Sequence, residues 1–428
     1  MKASNLFNKH LLSWKGVLIL YILLSSAAAF QSISLGNKVY EGQITQYTHY
    51  NNYLIFKNSH HHLMEGSNLY QSWPEETWDL FKYSPTFAYF FGPLAALPDW
   101  AGLGFWNLIN ALSLFLAIYF MPVSNKKKQL FILLALGIEA LTSFQSQQSN
   151  ALMAGLMIGA FVLMEREKLF WAAGLLMFSV YIKLFGLVGF ALFLFYPDKL
   201  KAAYSTLIWG VVFFAAPLIS IEYTSLIEQY KNWGVMLAND HSTSLGFSVM
   251  GWLHSWFHLN INKNIMLLFG VMIYLIPVFM WKKWKYKKFR LLMLASTLIW
   301  VVIFNHKAES PTFVIAMAGA TIWFFYSAKT KFDVTLFVLA FVFTSLSPTD
   351  IFPSYVRTQI FVPYVVKSVP MIIIWGKIIY ELTLGLDKNS VMEDEEEGRG
   401  KGGRTRKRRK DEEGGRGVRT RRKIFILF

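Results

Sequence analysis

The chain has no cysteine among its 428 residues, which excludes disulfides, thiol nucleophiles and Cys-based zinc sites. Charge is scarce. Asp, Glu, Lys and Arg make up 16% of the residues, against about 25% in soluble proteins, and much of that charge sits in the last forty residues. No Asp-x-Asp pair occurs anywhere, which argues against a metal-bound nucleotide or pyrophosphate donor. No Walker loop occurs either, so ATP-driven transport has no support.

What the chain does have is apolar side chains: 54% of its residues are hydrophobic, and aromatics make up 17% of the whole. Apolar stretches of about 15 to 22 residues recur along it, and a membrane span needs roughly 20. The expected fold is all-α, a polytopic transmembrane bundle of about 11 to 13 membrane helices with a long first external loop. The net charge of +16 does not point to nucleic acid, because its basic clusters fall in short breaks between apolar runs: Lys126 to Lys128, Arg166 and Lys168, Lys199 and Lys201, Lys282 to Arg290, Lys329 and Lys331. That is the positive-inside pattern. It places both termini in the cytoplasm and the chain in an inner membrane, with lipid as its surroundings.

The first apolar run, 16–33, follows Lys2, Lys9 and Lys15 and reads as an uncleaved span leading outward. A mostly polar loop, 31–82, comes next. Within it, 50–70 reads as a surface helix with Tyr53, Leu54, Phe56, Leu63 and Met64 on its apolar side and a stop at Gly66. Residues 83–97 are apolar but short and proline-marked, either a short span or a re-entrant element. Two hairpins follow: 130–141 with 149–164, its outer tip at Gln145 to Gln148, and 169–182 with 184–196, turning at Lys183. A second external loop covers 222–264, a third 347–357, and 360–381 reads as the last span. Residues 1–384 form the membrane domain. The tail 385–428 is Gly, Arg, Lys and Glu with almost nothing to bury, and is expected to be disordered.

With this topology the polar residues gather outside: Asn51, Asn52, Glu75, Glu76, Asp79, Lys82, the 145–150 turn, Lys183, Asp240, His241, the 305–310 run, Asp350 and Arg357. Inverting glycosyl transfer needs one carboxylate to take a proton from the acceptor hydroxyl. Glu76 and Asp79 are three apart and share a face if helical. They can equally anchor an interfacial belt of Trp73, Trp78, Phe81 and Tyr83. In Asn305-His306-Lys307-Ala308-Glu309-Ser310, His306 or Lys307 can bind a phosphate and Glu309 can orient Lys307 or act as base; the plain alternative is a polar turn. Lys183 interrupts an apolar hairpin, where it either binds an anion or snorkels to the surface. His60, His61 and His62 point about 100° apart on a helix and share no ion easily, so no metal is expected.

Three stretches carry a resemblance: Gly66 to Tyr70; Tyr83-Ser84-Pro85 through Gly92-Pro93-Leu94-Ala95-Ala96-Leu97-Pro98; and Phe105-Trp106-Asn107-Leu108-Ile109-Asn110. Together they resemble glycosyltransferase family 87, with its "G-x-x-x-Y" turn, its "Y-x-P" segment ending in "P-L-x-x-L-P", and its "W-x-x-x-N". Gln147-Gln148-Ser149-Asn150 is similar to the family's "G-Q-x-N" hairpin, and Tyr181-Ile182-Lys183 to its "x-x-K". The likeness covers 47–197, and the rest by hydropathy only. It implies a polytopic GT-C enzyme that transfers mannose from a polyprenyl-phosphate carrier to a glycan or glycolipid acceptor. Lys82, Tyr83, Gln147, Asn150, Lys183, His306 and Lys307 would bind substrate, and no cofactor or metal would be needed. One departure matters. The family commonly carries an Asp, the likely base, about eighteen residues before the turn tyrosine, and this chain has Asn52 there. A neutral amide is no general base. Asp79, Glu76 or Glu309 must substitute, or the chemistry has changed or lapsed, as in a lipid-linked sugar flippase on the same scaffold.

Overall fold

The computed structural model describes residues 13–40, 44–123, 125–239, 244–327 and 329–385. Helices begin where a side chain can take an orphan N–H. Ser13 accepts from Gly16 and opens α1, Trp14–Ser34. Ser84 accepts from Phe87 and, with Pro85 in the first turn, opens α3, Pro85–Phe90. Asn125 accepts from Lys127 and Lys128 and opens α6, Lys126–Gln145. Between these lie α2, Asn51–Glu65, ended by Gly66 at φ 75°, the short α4, Gly92–Ala95, and α5, Asp99–Tyr119. The rest are α7, Asn150–Met164; α8, Leu169–Ile182; α9, Gly186–Gly189; α10, Lys199–Ala215; α11, Tyr223–Asn239; α12, Val249–Phe257; α13, Lys263–Leu275; α14, Lys287–Ile303; α15, Phe313–Tyr326; α16, Lys331–Ala340; α17, Ser354–Val356; and α18, Val369–Tyr380. The strands among the described residues form one antiparallel pair in the first loop, Asn37–Val39 with Gln46–Thr48.

This is an all-α helical membrane fold. Among the described residues, α1, α5 and α10 with its extension to Ile219 are long and apolar enough to cross a bilayer, and five further apolar helices run 10–17 residues. The core is built on α7, α14 and α15, where Leu291 to Ile303 and Phe313 to Trp323 are buried without interruption. Close approach is set by small residues, as in many membrane bundles. A Cβ on Gly155 would lie 2.6 Å from the Ser113 backbone, and one on Gly319 would lie 2.5 Å from the Ala295 carbonyl.

Residues 83–97 do not cross. They make two helices of six and four residues, far short of a roughly 30 Å hydrocarbon core. The last apolar run is not one span either. It is a wide-turn segment, Arg357–Phe361, then a break with Val365 at φ 52°, then α18 with Pro370 in its first turn. A β-branched residue at positive φ marks a forced reversal of the chain. All but the first residue of the expected tail 385–428, together with Asp240 and His241, lie outside the described residues.

The bundle has two chemically different ends. At one, Arg290 pairs with Glu165 at 2.5 Å, Tyr196 donates to the same carboxylate at 2.7 Å, Arg166 donates to the Phe120 carbonyl and Lys126 to the Tyr119 carbonyl. Those basic side chains tie helix ends together. The opposite end holds the polar turns described next.

Candidate active site

Glu309, Gln148, Asn150 and Lys183 form a continuous ladder. The Gln148 amide donates to Glu309 Oε2 at 2.7 Å, the Asn150 amide donates to Gln148 Oε1 at 2.8 Å, and Lys183 Nζ donates to Asn150 Oδ1 at 2.9 Å. Three separate parts of the chain make this possible. Glu309 precedes the turn leading into α15. Gln148 lies between α6 and α7, Asn150 is the buried first residue of α7, and Lys183 ends α8. The Ser84 hydroxyl donates to the Tyr181 carbonyl, which brings Tyr83 alongside, with Lys183 Nζ 5.5 Å from the Tyr83 ring centre and the same from Phe185.

The electrostatics follow from this packing. Burial pushes the Lys183 ammonium down to about 8, with the Glu309 carboxylate acting the other way. Burial also raises the Tyr83 phenol, and the nearby charges of Glu309 and Asp79 raise it further. Glu309 itself is exposed, so a proton it takes can leave to water.

The turn carrying Glu309 is held by backbone. The Phe247 N–H donates to the Ala308 carbonyl at 2.9 Å, and Gly246, at φ 54°, packs so tightly that a Cβ would lie 2.7 Å from the His306 carbonyl. His306 and Lys307 are partly buried in the same turn, and the Lys307 N–H donates to Asn305 Oδ1 at 3.0 Å.

The other sequence candidates fall around this ladder. The Asn52 amide donates to the Ser146 carbonyl at 2.8 Å, at the foot of the 145–150 turn. Gln147 is a fixture of that turn, with φ 51°, its amide on Ser32 Oγ at 2.9 Å and its carbonyl accepting from Trp106 Nε1 at 2.7 Å. Glu76 is held by the Asn58 amide at 2.8 Å and His62 Nε2 at 3.2 Å, and His62 in turn stacks on Trp73 at 4.1 Å. It thus ties the loop to α2. Asp79 pairs with Lys82 at 2.9 Å and accepts from the Leu80 N–H. Trp78 stacks on Tyr40 at 4.7 Å, so one face of each loop tryptophan is already covered. The three histidines diverge: His60 meets the Ala88 carbonyl while His62 meets Glu76. Among the described residues, no group of three His, Asp or Glu side chains is placed to hold a metal ion.

Beside Lys82 lies a trough of about 370 Å³ lined by Asn68, Tyr70, Lys82, Asn232, Met236 and Asn239. Gln229 anchors α11 there, accepting from Leu69 N–H at 3.2 Å and donating to the Ser67 carbonyl at 2.8 Å, and Trp233 donates to the Lys82 carbonyl.

One polar group escapes a sequence reading that singles out Lys183. Lys367 and Glu139 form a buried ion pair at 2.9 Å, 3% and 0% exposed. Lys367 also donates to Ser310 Oγ at 3.0 Å. The available signal was a lone acid and a lone base of opposite sign, each inside an apolar run.

Residues 81–348, more than half of the chain, match the family model described as glycosyltransferase family 87. The matched region takes in Lys82, Tyr83, Gln147, Asn150, Lys183, His306, Lys307 and Glu309, and leaves Asn52, Glu76 and Asp79 outside it. No curated protein matches the chain.

Proposed function

The chain belongs to glycosyltransferase family 87 and is a membrane glycosyltransferase, and from that premise we propose that it moves a hexose, mannose in the first instance, from a polyprenyl monophosphate to a hydroxyl of an envelope glycan or glycolipid at the outer face of an inner membrane. The observation that carries this reading is the ladder from the Glu309 carboxylate to the Lys183 ammonium, an acid and a cation held in fixed relation at one end of the bundle.

In the proposed reaction the acceptor oxygen bonds to the anomeric carbon as its proton passes to Glu309. The bond from that carbon to the phosphate oxygen breaks, and the electron pair leaves with the polyprenyl phosphate. Lys183 meets the growing phosphate charge, with Asn150 beside it, and an ammonium already partly desolvated gains most from an arriving anion. Lys307 and His306 precede Glu309 by two and three residues. The GT-C scaffold's apolar helices would hold the prenyl chain. The donor carries its own leaving group, so nothing else enters the balance. The trough by Lys82 suits the acceptor, with amides from Asn68, Asn232 and Asn239 around an apolar floor, one residue from Tyr83.

Transfer of radiolabelled mannose from mannosyl phosphoryl polyprenol, by membranes containing the protein, tests the reading. Transfer that Glu309→Gln abolishes while donor binding stays supports it. Donor binding without transfer in the unaltered protein overturns it in favour of a lipid-linked sugar flippase, for which the buried Lys367–Glu139 pair beside a broken helix is the motivating feature.

A further inference from the structure

Lys367 and Glu139 lie away from the ladder, yet they are joined to its acid. Glu139 sits on α6, the helix that ends at the Gln145–Asn150 turn. Lys367 sits in the break before α18, where Val365 adopts φ 52° and the Lys367 carbonyl accepts from Thr344 Oγ1 at 2.8 Å. The ammonium reaches both Glu139 Oε1 and the hydroxyl of Ser310, the residue following Glu309. Glu139 Oε2 has no hydrogen-bond partner among the described residues, so Lys367 carries the neutralisation of this carboxylate. A buried charge with one neutralising partner holds that partner in place, because leaving would strand the charge.

The turn after Glu309 is tight. Thr312 N–H donates to the Glu309 carbonyl at 3.0 Å, and Glu309 N–H donates to Thr312 Oγ1 at 3.3 Å. Within this turn the Ser310 hydroxyl is the side-chain tie to Lys367, beside the backbone contact of Ala308 with Phe247, while Gln148 holds the Glu309 carboxylate from the other side. Movement of the ammonium therefore moves Ser310, and with it the backbone that aims Glu309.

We propose that Lys367, clamped by Glu139, is a positioning residue for the catalytic base: through the Ser310 hydroxyl it fixes the direction in which Glu309 presents its carboxylate to the acceptor. This rests on the proposed role of Glu309. It gives the helix break a purpose, since a continuous helix through 360–381 would not be interrupted at the point where Lys367 turns inward.

The test is steady-state transfer with the full chain in lipid, using mannosyl phosphoryl polyprenol as donor, alongside thermal unfolding. Ser310→Ala removes the link without touching either charge. It should lower kcat about 10- to 100-fold, with donor KM and the unfolding midpoint close to those of the unaltered protein. Ser310→Thr, which keeps the hydroxyl, should restore most of the rate. The double variant Glu139→Leu/Lys367→Met removes both charges together. It should unfold near the normal temperature yet keep the low kcat, since Ser310 has lost its donor. Normal kcat in Ser310→Ala, or in a folded double variant, overturns the inference and leaves the pair as packing alone. Absence of transfer by the unaltered protein, or full activity of Glu309→Gln, overturns the functional reading first and removes the base that Lys367 would position.

Discussion

The Asn52 amide donates to the carbonyl of Ser146 across 94 positions of chain. A carboxylate at 52 would face that carbonyl oxygen with no proton to give. We therefore expect Asn52→Asp to lose rather than gain transfer. The loss of the bond and the apposed oxygens should cost about 1–3 kcal/mol, read as a lower thermal midpoint. A rise in transfer rate in Asn52→Asp would show instead that this position is the base site.

The three candidate acids separate by what they touch. Glu309 ends a hydrogen-bonded ladder, whereas Glu76 is held by Asn58 and His62, and Asp79 by Lys82 and the Leu80 N–H. Glu309→Gln should lower kcat by about 10²- to 10⁴-fold, the usual worth of a general base. Glu76→Gln and Asp79→Asn should stay within a few-fold, the latter because an exposed ion pair contributes little. The check is kcat for all three variants in one membrane preparation.

Lys183 sets a pH limit. A lysine is cationic below its pKa, and burial brings this one to about 8. Donor affinity should hold on the acid side of that value and weaken as pH rises through it, because the ammonium proposed to meet the phosphate is lost. Lys183→Arg should remove the weakening, since a guanidinium stays charged. The measurement is donor KM against pH from about pH 6 to pH 10. A flat profile in the unaltered protein, or one that Lys183→Arg leaves unchanged, assigns the phosphate to another cation.

Gly246 holds the Glu309 turn from outside. At φ 54° and with carbonyls of His306 and Ala308 at 2.7 and 2.9 Å from a would-be Cβ, it admits no side chain without movement. Gly246→Ala should cost about 1–2 kcal/mol from the left-handed backbone alone. It should also lower kcat, since the displaced turn carries Glu309, the proposed base. An unchanged kcat in a folded Gly246→Ala protein would show that the turn tolerates the shift.

Much of the helix plan was legible in hydropathy. The stop expected at Gly66 ends α2, and the tip at Gln145 to Gln148 is where α6 stops. Lys183 was legible because a lone charge in an apolar hairpin asks for a partner. The contact of Phe247 and Gly246 with the 306–308 backbone was not, since main-chain docking between distant loops leaves no periodic trace. The break at Val365 did have a signal, Pro363 and Pro370 on either side of it, which the hydropathy of the run overrode. Glu139 and Lys367 lie 228 positions apart, and only folding makes them a pair. The resemblance, read over 47–197, and the family match, 81–348, overlap only in part: the match leaves out the Gly66 to Tyr70 turn and runs on to residue 348, through a stretch where apolar composition masks residue-level pattern.

The ladder between Glu309 and Lys183 is made of amides, and every rung points the same way. Each amide accepts on the Lys183 side and donates on the Glu309 side. Such a chain polarises along its length, so each charge feels the other. An amide N–H, however, does not ionise near neutral pH, and the ladder is a wire for field but an insulator for protons. On the proposed roles, a proton collected at Glu309 would have no path through Gln148 and Asn150 to a phosphate at Lys183. It would depart by the exposed face of Glu309 into water, so each turnover would discharge its proton on the acceptor side and leave the lysine's charge undisturbed for the next donor.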